Sequence, residues 1–107
     1  MKKRHGNNLD NDNTHHLYEI RDLQEQDIYK YGISDDPIDE DGLSSRLRDQ
    51  LQMMNRIAGF LRFIGRILLT SIPGRRKARA IEDEHIQAYR EQHGRNPRGN
   101  IRGGKAK

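Results

Sequence analysis

Residues 17–34 read LYEIRDLQEQDIYKYGIS and contain the two clearest strand signals of the chain. The run LYEIRD alternates Leu, Glu and Arg with Tyr and Ile, which predicts a strand with one wetter face. The run IYKYGI is rich in β-branched and aromatic residues and predicts a second strand. Because only the polar residues 24–27 separate the runs, an antiparallel hairpin is favoured. Gly32 predicts the close approach of another group, such as a phosphate, to the second strand.

C-terminal to the hairpin, residues 35–42 (DDPIDEDG) are typical of an exposed acidic loop. Ser44 or Ser45 could cap a following helix. Apolar residues then recur at three/four spacing from Leu47 as far as Leu68, so the pattern also permits one long amphipathic helix. Two glycines in the second half of this pattern favour a shorter helix followed by a strand.

The Pro73-Gly74 pair is a clear break, and periodic apolar residues predict a last helix that ends near Gly94. The chain is therefore predicted to be an α+β domain with two helices packed on a small antiparallel three-stranded sheet. The predicted strands are about 16–22, 28–34 and 62–70, and the predicted helices are about 43–58 and 75–92.

Composition limits what this domain can be. The chain has 107 residues, of which 32% are hydrophobic, and its mean hydropathy is −1.11. One small core and some solvated coil are expected, with a disordered segment at 1–14, a domain at 15–100 and a flexible basic tail at 101–107. The absence of cysteine excludes disulfides, thiolate nucleophiles and Cys-ligated zinc.

Neither a signal peptide nor a membrane span is expected from the sequence. Lys2, Lys3 and Arg4 are not followed by an apolar run, so no signal peptide is expected in this chain. The longest apolar region, residues 57–69, is interrupted by charged residues, so stable membrane insertion is not expected.

Charge divides the chain into two unequal parts. Residues 1–59 carry 8 Lys/Arg against 12 Asp/Glu, whereas residues 60–107 carry 12 against 4. A basic half beside an acidic half favours contact with a polyanion such as nucleic acid. The alternative is that these charges only solvate a small domain.

Few residues suggest chemistry on their own. Strand tyrosines such as Tyr18 usually pack with the hydroxyl at the edge of a core, and Arg46 is of a type most often found on the surface. Glu82 lies beside the apolar stripe of the last helix, where an ionised carboxylate needs a partner or a metal. Glu84 is expected to point to solvent.

Five short motifs in fixed order carry a resemblance that covers residues 16–100. HLYEI, IYKYGIS, SSRLRDQL, AIEDEHIQAY and NPRGN resemble the GIY-YIG nuclease superfamily, specifically its compact variants found as C-terminal toxin domains of bacterial polymorphic toxins. Each motif is weak alone, and their order and helix context make the resemblance specific. It implies an endonuclease that hydrolyses phosphodiester bonds, with DNA favoured over RNA.

The resemblance also implies roles for individual residues. Tyr18 matches the tyrosine of the first strand, which acts near the attacking water. The second-strand motif is Tyr-x-Gly, and here its glycine is Gly32 while its tyrosine position holds Lys30. Tyr31 is an adjacent candidate, and Tyr29 flanks Lys30 on the other side.

The remaining matches lie on the helices and the last loop. Arg46 matches the arginine that holds the phosphate, with Arg48 as the second choice, and Glu82 matches the glutamate that binds Mg²⁺ or another divalent cation. Asn100 matches the asparagine that braces the site, with Asn96 as the weaker choice. His16 replaces the first glycine of the family motif, and whether it takes part is left open. The expected nucleic-acid-binding residues are Gly32, Arg48, Arg75, Arg76, Lys77, Arg79 and Asn100.

A toxin of this kind implies delivery into the cytoplasm of a target cell and a cognate immunity protein in the producing cell. An acidic partner that covers the basic half is expected.

Two other functions are compatible with the sequence. Residues 51–72, if helical, would form a cationic amphipathic segment of a membrane-active toxin. The charge division alone would also suit a nucleic-acid-binding module without enzymatic activity.

Overall fold

A computed structural model describes residues 8–100 and has three strands, two helices and a 3₁₀ turn. In chain order these are β1 (Thr14–Asp22), β2 (Asp27–Ser34), α1 (Ser45–Ala58), β3 (Phe63–Pro73), α2 (Arg75–His93) and the 3₁₀ turn Arg98–Asn100. The sheet order is β2-β1-β3, and both pairings are antiparallel. The predicted α+β class and order of elements are confirmed, and the strands extend slightly beyond their predicted bounds.

The central strand β1 is buried on both faces. Tyr18 and Ile20 pack beneath α1, and Leu17 packs beneath α2 on the opposite face. The prediction of one wetter face is therefore wrong, because α2 covers the face on which Glu19 lies. Glu19 is only 3% exposed, and Arg66 Nη2 lies 3.1 Å from its Oε2 as an ion pair.

The chain changes from helix to strand between α1 and β3. Gly59 adopts a left-handed conformation, with φ 88°, and its N–H donates to the carbonyl oxygen of Asn55. The Asn55 side chain then accepts from the N–H groups of Arg62 and Phe63, at 2.9 and 2.7 Å, and donates to the Phe63 carbonyl. These bonds fix a turn after α1, so the alternative of one long helix is wrong.

Gly65 lets α1 lie close to β3. A side chain at this position would place its Cβ 2.9 Å from Leu51 Cδ1 and 3.2 Å from Leu47 Cδ2. The space of the missing side chain is thus filled by the two leucines of the α1 core face. This glycine, which argues against a helix in the sequence, serves as a packing position in the strand.

Asp22, at the end of β1, joins three segments of the chain. Its fully buried carboxylate accepts two hydrogen bonds from Arg62, at 2.9 and 2.8 Å, and one from Arg98 Nη2 at 2.6 Å. The N–H groups of Gln24 and Glu25 also donate to it. The hydrogen bonds from Arg62 are the main reason that the pKa of Asp22 lies far below its ordinary value of 3.8, although burial opposes the shift.

Residues 8–13, which the sequence assigns to a disordered segment, pack against the domain. Asn11 is buried, and both Asn11 Nδ2 and Asn13 Nδ2 donate to Asp35 Oδ2, at 3.1 and 2.9 Å. The carbonyl of Asn11 accepts from the N–H of Arg75. The rest of the predicted disordered segment, residues 1–7, and the predicted flexible tail, 101–107, lie outside the described residues.

We expect Asp22→Asn to destabilise the fold by about 3–5 kcal/mol, because it leaves two arginines without their shared carboxylate. Since the folded-state pKa is lowered, this stabilisation is present above about pH 5 and is lost as the pH falls below about 4. Urea unfolding of the wild type should therefore show a loss of stability in acid that is weaker in the variant.

The exposed Asp49 provides the matched control for this measurement. Asp49→Asn should unfold like the wild type at every pH. Equal stability of Asp22→Asn and wild type at pH 7 would contradict the role given to this carboxylate.

Candidate active site

The register of the hairpin brings three of the predicted site residues to one face of the sheet. Tyr18 lies opposite Gly32, and Ile20 lies opposite Lys30. Directly opposed residues of antiparallel strands point to the same face, so Tyr18, Gly32 and Lys30 share the face that α1 covers. The Lys30 position, where the sequence departs from the family motif, is therefore on the same face as Tyr18.

Gly32 makes room for the Tyr18 ring. A Cβ at position 32 would lie 2.3 Å from both Cζ and Oη of Tyr18, so any larger residue would displace the phenol. The sequence predicts the close approach of another group, such as a phosphate, to this glycine. The group that approaches is the Tyr18 ring.

A chain of hydrogen bonds joins Lys30 to Tyr18 through a helix residue. Lys30 Nζ donates to Gln50 Oε1 at 2.9 Å, and Gln50 Nε2 donates to Tyr18 Oη at 3.3 Å. An ammonium group has no acceptor, so the amide oxygen of Gln50 must face Lys30 and the amide nitrogen must face Tyr18. The oxygen of Tyr18, a residue that is only 5% exposed, is thus an acceptor from Gln50.

Gln50 is the site residue that the sequence argument missed. It lies three residues after Leu47 on α1, so it shares the face of the helix that packs on the sheet. A half-buried amide on that face requires a polar partner. The spacing was a usable signal, although the sequence alone does not identify the strand residues that it meets.

The two candidate arginines of α1 have different surroundings. Arg46 lies in the first turn with an exposed side chain, and its backbone N–H donates to Asp36 Oδ2 at 2.9 Å. Arg48 Nη2 lies 2.9 Å from Asp39 Oδ2 and 3.1 Å from Asp41 Oδ1. Two carboxylates of the acidic loop therefore hold Arg48, whereas Arg46 presents its guanidinium to solvent.

Glu82 lies on α2 with its side chain 16% exposed, and Arg79 Nε is 3.8 Å from its Oε1. Burial raises the pKa of this carboxyl group, while the charges of Arg79, Arg75 and Lys30 oppose the rise. Glu82 belongs to α2, which packs on the sheet face opposite to the face of Tyr18 and Lys30. Glu84 is exposed, as the sequence predicts.

Glu82 could hold a divalent cation as a single protein ligand. Within residues 8–100 no group of three or more His, Asp or Glu side chains could form a multidentate metal site. Mg²⁺ commonly binds through one or two carboxylates and completes its shell with water and substrate phosphate. A half-buried carboxylate whose pKa is raised by burial gains from a nearby cation, so Glu82 fits such an ion.

Asn100 holds the outer edge of β2. Its Oδ1 accepts from the N–H of Tyr31 at 2.8 Å, and its Nδ2 donates to the Tyr31 carbonyl at 2.9 Å. Asn100 is buried with both ends of its amide engaged, which does not suit the expected contact with nucleic acid. Asn96 supports the same turn, because its Nδ2 donates to the Asn100 carbonyl at 3.2 Å.

Tyr31 lies apart from Tyr18 on the other face of the hairpin. It is paired with Glu19, and its ring meets His85 of α2 with the ring centroids 5.4 Å apart. Burial, followed by the charge of Glu19, raises the pKa of the Tyr31 phenol. The structure therefore separates Tyr31 from the group formed by Tyr18, Gln50 and Lys30.

The four basic residues predicted to contact nucleic acid lie near the N-terminus of α2. Lys77 is exposed, and Arg76 is exposed with its guanidinium 3.4 Å from Asp10 Oδ1. Arg75 is half-buried, and Arg79 lies near both Glu82 and Asp83. Cations at the N-terminus of a helix interact unfavourably with the helix dipole. An anion at this position is attracted both by the cations and by the positive end of the dipole.

Comparison with known proteins identifies one family. A family model described as URI fold toxin 2 matches residues 8–94, which contain every strand and both helices. Comparisons with curated proteins and with solved structures gave no match. The matched region includes Tyr18, Lys30, Gln50, Arg46 and Glu82. The chain therefore belongs to the URI fold toxin 2 family and is a toxin domain.

Proposed function

We propose that the chain is a metal-dependent endonuclease of GIY-YIG type that hydrolyses phosphodiester bonds of nucleic acid and acts as an antibacterial toxin. The observation that carries this proposal is the hydrogen-bond chain from Lys30 through Gln50 to Tyr18. This hydrogen-bond chain links a buried phenol to a cationic side chain through one amide, which supports a joint role of the two groups. Membership of a toxin family with a nuclease-like fold supports the same activity.

Each residue has a role that its chemistry supports. The Tyr18 hydroxyl orients the attacking water, and Lys30 supplies positive charge beside it. The exposed guanidinium of Arg46 can bind two non-bridging phosphate oxygens at once. Glu82 would hold Mg²⁺, which when bound stabilises negative charge on the phosphate and the leaving oxygen. Asn100 positions the backbone of β2 beside Lys30.

The substrate is a polyanion that the basic residues at the start of α2 attract without reading its sequence. Arg75, Arg76, Lys77 and Arg79 supply this surface. We favour DNA over RNA as the substrate, and the assay below includes both.

As a toxin, the domain would act in the cytoplasm of the target cell. A cognate immunity protein would neutralise it in the producing cell. The basic residues of α2 suit an acidic partner, because complementary charge speeds association and aligns the two surfaces.

The membrane-active alternative requires residues 51–72 to be one amphipathic helix, but this segment is divided between α1 and β3. Neither helix within residues 8–100 is long and apolar enough to cross a membrane. A nucleic-acid-binding module without activity differs from the proposed enzyme in turnover, so a cleavage assay separates the two.

The proposed activity predicts that the purified chain cleaves plasmid DNA or total RNA with Mg²⁺ but not with chelator. Glu82→Gln should lower the rate by about 10²-fold or more, because the amide cannot bind the cation as a carboxylate does. Burial already disfavours the charged form of Glu82, so the amide should leave the melting temperature unchanged or raised. Gel analysis of cleavage and circular dichroism measure the two effects.

Glu84→Gln is the matched control, since Glu84 is exposed on the same helix. It should cleave like the wild type. Equal cleavage by Glu82→Gln and wild type, or no cleavage of either nucleic acid by the wild type, would refute the proposal.

A second prediction separates a reacting lysine from a surface lysine. Lys30→Met and Lys77→Met remove the same charge, but only Lys30 bonds to Gln50. Lys30→Met should lower kcat by about 10²-fold or more, because charge beside the phosphate is lost. Lys77→Met should act mainly on KM and on the salt dependence of binding. Steady-state kinetics at two salt concentrations test this, and equal kcat values for the two variants would contradict it.

A further inference from the structure

His16 is a buried imidazole with an unused nitrogen. The ring is only 3% exposed, and its Nε2 has no hydrogen-bond partner within the described part of the chain. A buried polar atom left without a partner destabilises the folded protein. None of the roles proposed for the nuclease activity involves His16.

The position of His16 connects it to the proposed active site. It lies two residues before Tyr18 on β1, so both side chains are on the same face, and their ring centroids are 6.2 Å apart. Its partner in β2 is Ser34, two residues after Gly32. The imidazole is thus the next side chain along the strand from the phenol.

A cavity of about 310 Å³ opens beside His16 and is lined by His15, Asp35 and Asp36 as well. Asp35 and one nitrogen of His15 are engaged, whereas His15 Nε2, like His16 Nε2, has no hydrogen-bond partner within the described residues. Asp35 accepts from two asparagine side chains, and His15 Nδ1 lies 2.6 Å from the Asn13 carbonyl. Asp36 accepts from the backbone N–H of Arg46, so the backbone of the arginine proposed to bind phosphate lies at the rim of this cavity.

The charged groups around the His16 imidazole favour its action as a base. Burial lowers the pKa of His16, while the carboxylates of Asp36 and Asp35 oppose that shift and His15 adds to it. A lowered pKa favours the neutral imidazole, and the two carboxylates can stabilise the imidazolium once a proton arrives. Tyr18 differs, because its oxygen accepts from Gln50 and its remaining hydrogen-bonding function is to donate.

We propose that His16 Nε2 is the general base of the phosphodiester hydrolysis, an inference that rests on the proposed function. The water oxygen forms a bond to phosphorus while one of its protons passes to Nε2. The bond between phosphorus and the 3′-oxygen breaks, its electron pair stays on that oxygen, and the oxygen takes a proton from solvent. Tyr18 then orients the water through its donated hydrogen bond and remains protonated.

The test is the pH dependence of kcat/KM for plasmid cleavage with Mg²⁺. In the wild type, kcat/KM should fall in acid with the pKa of His16, which NMR titration of the same protein measures independently. His16→Gln should lower kcat/KM by about 10²–10⁴-fold and remove this acidic limb. The exposed His93 provides a control, and His93→Gln should keep the wild-type profile.

Each outcome decides the inference. His16→Ala should recover activity with added imidazole, which a purely structural histidine would not. A wild-type profile in His16→Gln while Glu82→Gln is inactive would overturn the inference and leave the proposed function standing. Loss of the limb in His15→Gln instead, or an NMR pKa that differs from the kinetic one, would also overturn it. No metal-dependent cleavage by the wild type would refute both.

Discussion

The buried carboxylate of Asp22 is the interaction on which the arrangement of the sheet and of the site depends. It ends the central strand and binds Arg62, which precedes β3, and Arg98, which begins the 3₁₀ turn. That turn places Asn100 on the backbone of Tyr31, the residue after Lys30. A single ion pair cluster at one end of β1 therefore fixes the position of β3 and the outer edge of β2.

Burial of β1 on both faces explains how so small a domain can present a site. With α1 on one face and α2 on the other, the central strand needs no further support. Tyr18 belongs to the central strand, its ring fills the space above Gly32, and its oxygen accepts a hydrogen bond from Gln50 of α1. A phenol constrained by three elements keeps its orientation without a ligand, which is the kind of preorganisation that electrostatic catalysis requires.

The sequence predicts the elements better than their contacts, for physical reasons. The residue pattern of 17–34 predicts the two strands, although not that both faces of β1 are buried, and Pro73-Gly74 marks a break between β3 and α2. The end of α1 depends instead on hydrogen bonds from the N–H groups of residues 62 and 63 to the Asn55 side chain. The apolar periodicity of the sequence contains no information about these contacts. The role of Gln50 is hidden for the same reason. Its partners lie 20 and 32 residues away, and spacing along one helix cannot specify them.

The residues proposed for function are also those that fit the folded protein least well. Within residues 8–100 His16 has a buried nitrogen without a hydrogen-bond partner. Burial raises the pKa of the Glu82 carboxyl group, and several cations lie at the N-terminus of α2. Each of these groups would gain from a ligand of complementary character, namely a proton donor for His16, a cation for Glu82 and an anion for the N-terminus of α2. Selection for stability alone would remove such features, so their presence in one small domain indicates a functional rather than a packing role.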